Sequence, residues 1–134
     1  MAASEARGVL DTCTLIDIDQ LDRRNLPDIP EITSITMSEL HQGLVFAKTA
    51  QARASRLERL SMVVDRFEPL AYDGEAASRY GTLATLTVGL GRSLKQRRLD
   101  LMIGAIASVH EIPLYTRNPA DFKGLESVLR VIAV

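Results

Sequence analysis

Arg98-Leu99-Asp100-Leu101-Met102-Ile103-Gly104-Ala105-Ile106-Ala107 and, a few residues on, Ile112-Pro113-Leu114-Tyr115-Thr116-Arg117-Asn118-Pro119-Ala120-Asp121-Phe122 decide how this sequence folds. The first run is too apolar for a surface helix. It reads as a buried helix from Asp100 to about His110, with a carboxylate in its first turn. The second reads as a short strand over 112–115, a polar turn, and one helical turn over 119–122 that carries Asp121. A helix this apolar packs against a sheet, so both acids fall at one sheet edge.

Working outward, the same pattern recurs. Val9-Leu10 is a short strand, beginning as early as Arg7, and Asp11 follows it directly. Asp11-Thr12-Cys13-Thr14 is a strand-to-helix step, and Leu15, Ile16 and Ile18 start a helix. Asn25 to Pro30 reads as a loop because of its two prolines. Glu31-Ile32-Thr33-Ser34-Ile35 reads as a second strand, and Thr36 to Glu39 as the opening of a helix. A helix follows over 51–64, with Ala54, Leu57, Leu60 and Val64 on one face. Residues 67–71 read as a third strand, at an edge or at its start because of Pro69. Asp73 caps a long helix that Gly89 and Gly91 end. Arg92 to Arg98 is a basic connector, and 128–134 is a fifth strand. Strands alternating with helices give an α/β fold with a parallel sheet, whose sites lie at the strands' carboxyl ends.

Composition sets the outer bounds. A chain of 134 residues is one domain by size, with residues 1–6 as a frayed tail. A net charge of -1 places any nucleic-acid binding on a local patch. One cysteine, Cys13, excludes an internal disulfide and fits a reducing cytoplasm; it reads as a small buried residue. No run approaches a membrane span, and the start has no secretory pattern. Aromatics are too few for a base-stacking platform, and His41 and His110 are not spaced as a metal site.

Each acid has a plain structural explanation. Asp11 is placed to cap a helix, and Glu39 stands at capping-box spacing from Thr36. Asp100 complements a helix dipole, and Asp121 sits in the turn after Asn118-Pro119. Taken together the acids say more, because serine, threonine or asparagine would cap these helices without gathering charge. Carboxylates converging at one edge repel and raise one another's pKa, and a hard cation such as Mg²⁺ or Mn²⁺ relieves the repulsion. Such an ion activates water against a phosphodiester. Thr12, Thr14 and Thr116 lie beside the acids, to orient a carboxylate or simply to make turns. Arg92, Lys95, Arg97 and Arg98 precede Asp100, to hold phosphates or as a solvated connector.

Four segments, in order, resemble the motifs of PIN-domain ribonucleases, specifically the toxin of VapBC-type toxin–antitoxin modules. They are Val9-Leu10-Asp11-Thr12, Ile35 to Gly43 with Glu39, Asp100 to Ala107, and Thr116-Arg117-Asn118-Pro119-Ala120-Asp121-Phe122. The resemblance spans nearly the whole chain. It implies a three-layer α/β/α fold around a five-stranded parallel sheet and a Mg²⁺- or Mn²⁺-dependent endoribonuclease. It also implies an antitoxin partner, homodimers and toxin–antitoxin hetero-oligomers. Asp11, Glu39 and Asp100 would hold the metal and Asp121 would complete the cluster. Thr12, Thr116 and Asn118 would support it, while Arg92, Lys95, Arg97, Arg98 and Arg117 would meet RNA. Cys13 stands where serine or asparagine is common in the family, and Asn118 where some members carry an acid. Two alternatives share these features: a PIN-fold RNA-maturation nuclease or RNA-binding module, and a receiver-like signalling domain. The second is disfavoured because Asp11 has no acidic neighbour and no lysine closes the last strand.

Overall fold

The computed structural model describes residues 6–134. The expected tail therefore lies outside the described residues, except Ala6, whose carbonyl accepts from Ile29 N at 2.7 Å. Four strands form one parallel sheet: β1 (Arg7–Leu10), β2 (Ile29–Glu31), β3 (Leu114–Thr116) and β4 (Val131–Ala133), in the order β2-β1-β3-β4. Five helices accompany them among the described residues: α1 (Thr12–Ile16), α2 (Ser34–Val45), α3 (Ala50–Arg66), α4 (Gly74–Gly89) and α5 (Leu94–Val109).

The alternation of side chains along the central strands builds the layers. Val9 and Leu114 face one way, into a core shared with Leu83 of α4, Leu101 and Ile103 of α5, and Leu129. Leu10 and Tyr115 face the other way, against Leu15, Leu40, Leu60 and Val63 of α1, α2 and α3. The sheet is thus covered on both faces, as parallel sheets are. Gly104 lets α5 settle closely, since a Cβ there would lie 2.9 Å from Leu129 Cδ2. Asp73 caps α4 as its sequence indicates, accepting from Ala76 N at 2.9 Å, and Gly91 turns the chain after it with φ +74°.

Several boundaries differ from the sequence reading. The sheet has four strands rather than five, because the segment around Leu70 makes only a single bridge to Thr33. Glu31 ends β2 instead of starting it, and Pro30 lies within the strand. β2 is an edge strand, where a missing N–H leaves no ladder bond unmade. The residues read as strand after Glu31 instead begin α2, with Thr33 as its cap. The basic stretch is not a connector either. Ser93 precedes α5, so Lys95, Arg97 and Arg98 belong to the helix. On α3 the buried positions are Leu60 and Val63, while Leu57 and Val64 are exposed.

Candidate active site at the carboxyl edge of the sheet

From β1 the chain runs to β2 on one side, while β3 and β4 lie on the other. The reversal falls between β1 and β3, and a crevice opens outside the strand ends at such a point. Asp11 follows β1 and Thr116 ends β3, so the two flank this position, with Asp11 N donating to Tyr115 O at 3.2 Å. Asp11 is buried, and its Oδ1 accepts from Thr14 N at 3.0 Å. The capping role expected for it is therefore real, but it occupies one carboxylate oxygen and leaves the other.

The structure removes the capping explanation for Glu39. Thr36 is buried inside α2, two residues beyond its start, and the helix is capped by Thr33 Oγ1, which accepts from Thr36 N at 3.2 Å. Glu39 lies in the second turn of α2, where its Oε1 accepts from Thr12 Oγ1 at 2.7 Å. Thr12 also meets Thr36 Oγ1 at 2.9 Å. A hydroxyl has one proton, and that of Thr12 goes to the carboxylate; Thr36 is therefore the donor in the second contact. The chain Thr36–Thr12–Glu39 fixes this acid across two helices.

Asp100 likewise loses its dipole explanation, because α5 starts at Leu94 and the dipole's influence fades beyond the first turn. It is half-buried, and burial, followed by the charges of Asp11, Glu39 and Asp121, pushes its carboxyl up to about 6; the Arg97 guanidinium pulls the other way. The four acids picked out in the sequence thus share one electrostatic neighbourhood. Asp121 lies in the short 3-10 turn Pro119–Phe122, held by Arg92 Nη1 donating to the carbonyls of Ala120 at 3.0 Å and Asp121 at 3.1 Å. Asn118 makes no side-chain cap bond; its backbone N–H donates to the buried Thr116 Oγ1 at 3.0 Å. Thr116 therefore shapes the turn that carries Asp121.

The basic residues divide. Arg92 is engaged with carbonyls as above, and Arg117 pairs with Asp17 at 2.6 Å. Lys95 and Arg98 are exposed on α5, and Arg97 is half-buried near Asp100. Cys13, expected to be buried, is exposed at the rim of the site. Partial desolvation and the charges of Asp11, Asp100, Glu39 and Asp17 push its thiol pKa up. Sequence reasoning missed Thr36 and the Arg117–Asp17 pair, whose members are 100 positions apart. Among the described residues, no three Asp, Glu, His or Cys side chains stand close enough as placed to hold a metal ion. Closing the acids onto one ion takes side-chain movement. The donor set nevertheless fits a hard cation: carboxylate oxygens whose mutual repulsion already disfavours ionisation of Asp100.

An α/β chain with a parallel sheet covered on both faces, and acids at its carboxyl edge, has the plan of a PIN-type domain. The chain matches no family model. It is 36% identical over 135 residues to Ribonuclease VapC5 of Mycobacterium tuberculosis, covering 98% of this chain and 96% of that protein. The chain belongs to that family, the VapC ribonucleases of the PIN-domain class. The solved structure of the VapBC-5 toxin–antitoxin system from the same organism superposes with a TM-score of 0.85 at 35% identity, covering 96% of this chain and 99% of that one. A DNA-bound VapBC from Salmonella typhimurium shares the fold, with a TM-score of 0.72 at 24% identity over 95% of this chain and 97% of that one. Family membership sets aside the receiver-like alternative.

Proposed function

We propose that this toxin-class ribonuclease hydrolyses RNA phosphodiesters at the acid cluster, with Mg²⁺ or Mn²⁺ held by Asp11, Glu39 and Asp100 and with Asp121 completing the set. The observation that carries this is the shared field of the four acids, which together with burial raises Asp100 to about 6 without any ion pair to relieve it among the described residues. A bound divalent cation supplies an activated water and neutralises developing phosphate charge. The chain's own residues do the rest. Thr12 holds Glu39 in orientation, Thr116 and Arg92 hold the turn bearing Asp121, and the exposed Lys95 and Arg98 meet backbone phosphates. The test is cleavage of a fluorogenic mixed-sequence RNA by wild type, by wild type with a chelator, and by Asp11→Asn. Cleavage lost in the last two supports the assignment; undiminished cleavage in both refutes it.

The partner in this reading is an antitoxin, as in the complexes solved for the relatives. A groove of about 880 Å³ between α1 and α3, lined by none of the four acids, is suited to it. Leu15, Ile18, Leu26, Met62 and Phe67 give it an apolar floor, and its rim carries Arg23, Arg59 and Arg66 together with Asp19 and Asp28. That combination suits an amphipathic segment. No described helix is long and apolar enough to cross a membrane. We place the protein in the cytoplasm, as one PIN domain over its length, acting as a homodimer.

A further inference from the structure

We propose that Arg97 is a catalytic residue, whose guanidinium takes the scissile phosphodiester of RNA at the acid cluster. Its place on α5 is three residues before Asp100, so both side chains share one helix face. Its Nε is sealed from solvent and has no acceptor. Its Nη1 makes only a long contact of 3.4 Å with Ser93 O. No carboxylate among the described residues comes within ion-pair distance of it, although its charge acts on Asp100. A buried N–H without an acceptor is costly and needs a reason. With Nε unmade and Nη1 held only by that long contact, the guanidinium is available, once its side chain shifts, to an acceptor brought in from outside the chain.

The other basic residues near the site do not fit this role. Arg92 is bound to the carbonyls of Ala120 and Asp121, and Arg117 to Asp17. Lys95 and Arg98 lie in solvent. Arg97 alone of the five is half-buried beside Asp100 with an unmade hydrogen bond. A guanidinium is a planar fork suited to phosphate oxygens. Its contact strengthens as those oxygens gain charge, which is where such a donor accelerates a reaction. In the hydrolysis the water oxygen bonds to phosphorus and the P–O bond to the departing ribose oxygen breaks. The water loses a proton to solvent and the departing oxygen takes one up. Arg97 donates hydrogen bonds throughout and exchanges no proton.

This inference rests on the nuclease reading above, so wild type and Asp11→Asn are measured beside Arg97→Gln. The readouts are kcat on the fluorogenic mixed-sequence RNA, Mn²⁺ affinity by calorimetry, and Tm. The expected result is a kcat lowered about 10²–10³-fold, with Mn²⁺ bound as tightly or more tightly and Tm not lowered. Removing a cation beside the acids favours the ion, and removing an unmade buried donor does not weaken the fold. A kcat reduced less than tenfold overturns the inference while leaving the nuclease reading intact. So does a larger loss accompanied by weaker Mn²⁺ binding, which marks a structural role. Absence of cleavage by wild type, or full cleavage by Asp11→Asn, overturns both. Should Arg97→Gln not fold, Arg97→Lys, which removes Nε and keeps the charge, is judged by the same criteria.

Discussion

Replacing Asp100 with asparagine should stabilise the protein at neutral pH when no divalent ion is present. The Asp100 carboxyl titrates at about 6 in the folded chain, against 3.8 for a free one. Below pH 3.8 it is neutral in both states and carries no penalty. As pH rises from there toward 6, the unfolded chain releases its proton first, so stability falls; above 6 the loss is complete. One pH unit corresponds to about 1.4 kcal/mol, so the full shift would give roughly 3 kcal/mol. Asp100 is only half-buried, and discounting for water's screening leaves about 1–2 kcal/mol. For a chain of this length that is roughly 3–8 °C in Tm. The assay is thermal unfolding of wild type and Asp100→Asn, with chelator, from pH 4 to pH 8. The two curves should approach each other at the acid end and separate through pH 6, the variant being the more stable. An asparagine variant no more stable at pH 8, or a gap that stays constant with pH, would refute the shared field of the four acids. Added Mn²⁺ should reverse the order, because ligand at about 100 times its Kd adds roughly 2.7 kcal/mol to the form that binds it.

Thr12→Val removes the donor to Glu39 and the acceptor for Thr36; RNA cleavage should fall about 10–100-fold in steady-state kinetics, as for partners that orient metal-binding carboxylates. Gly104→Ala places a methyl 2.9 Å from Leu129 Cδ2, and urea unfolding should show a loss of about 1–3 kcal/mol from overpacking. Lys95→Ala and Arg98→Ala should each weaken binding of a non-cleavable 2′-O-methyl RNA and reduce the slope of log K against log salt by about 0.7. Arg92→Ala, which loses only carbonyl contacts on the Asp121 turn, should leave that slope unchanged in the same anisotropy titration while lowering cleavage.

The sequence by itself determined the fold class and picked out four acids as candidates. Strand–helix alternation and the apolar run after Asp100 require a covered parallel sheet, and parallel connection puts every strand's carboxyl end on one side. Turn residues fixed the ends of α4, through Asp73 and Gly91, and the short turn at Pro119, because these signals are local. Elsewhere local signals misled. Ile32-Thr33-Ser34-Ile35 is rich in β-branched residues and reads as strand, yet Thr33 caps α2, since the hydroxyl's bond to Thr36 N outweighs a weak strand preference. Leu70 makes one bridge rather than a strand for the same reason: strand propensity depends on the partners that the fold supplies.

Only the tertiary structure decided what each acid does. Asp11 both caps and faces the cluster, whereas Glu39 and Asp100 stand beyond the first turns of their helices and cap nothing. The partners that fix Glu39, the burial that raises Asp100, and the division of five basic residues into clamps, surface charges and one sealed donor all depend on distances between segments remote in sequence. Composition and periodicity carry direction along the chain; dielectric environment and hydrogen-bond saturation are properties of space, and they exist only once the layers have closed.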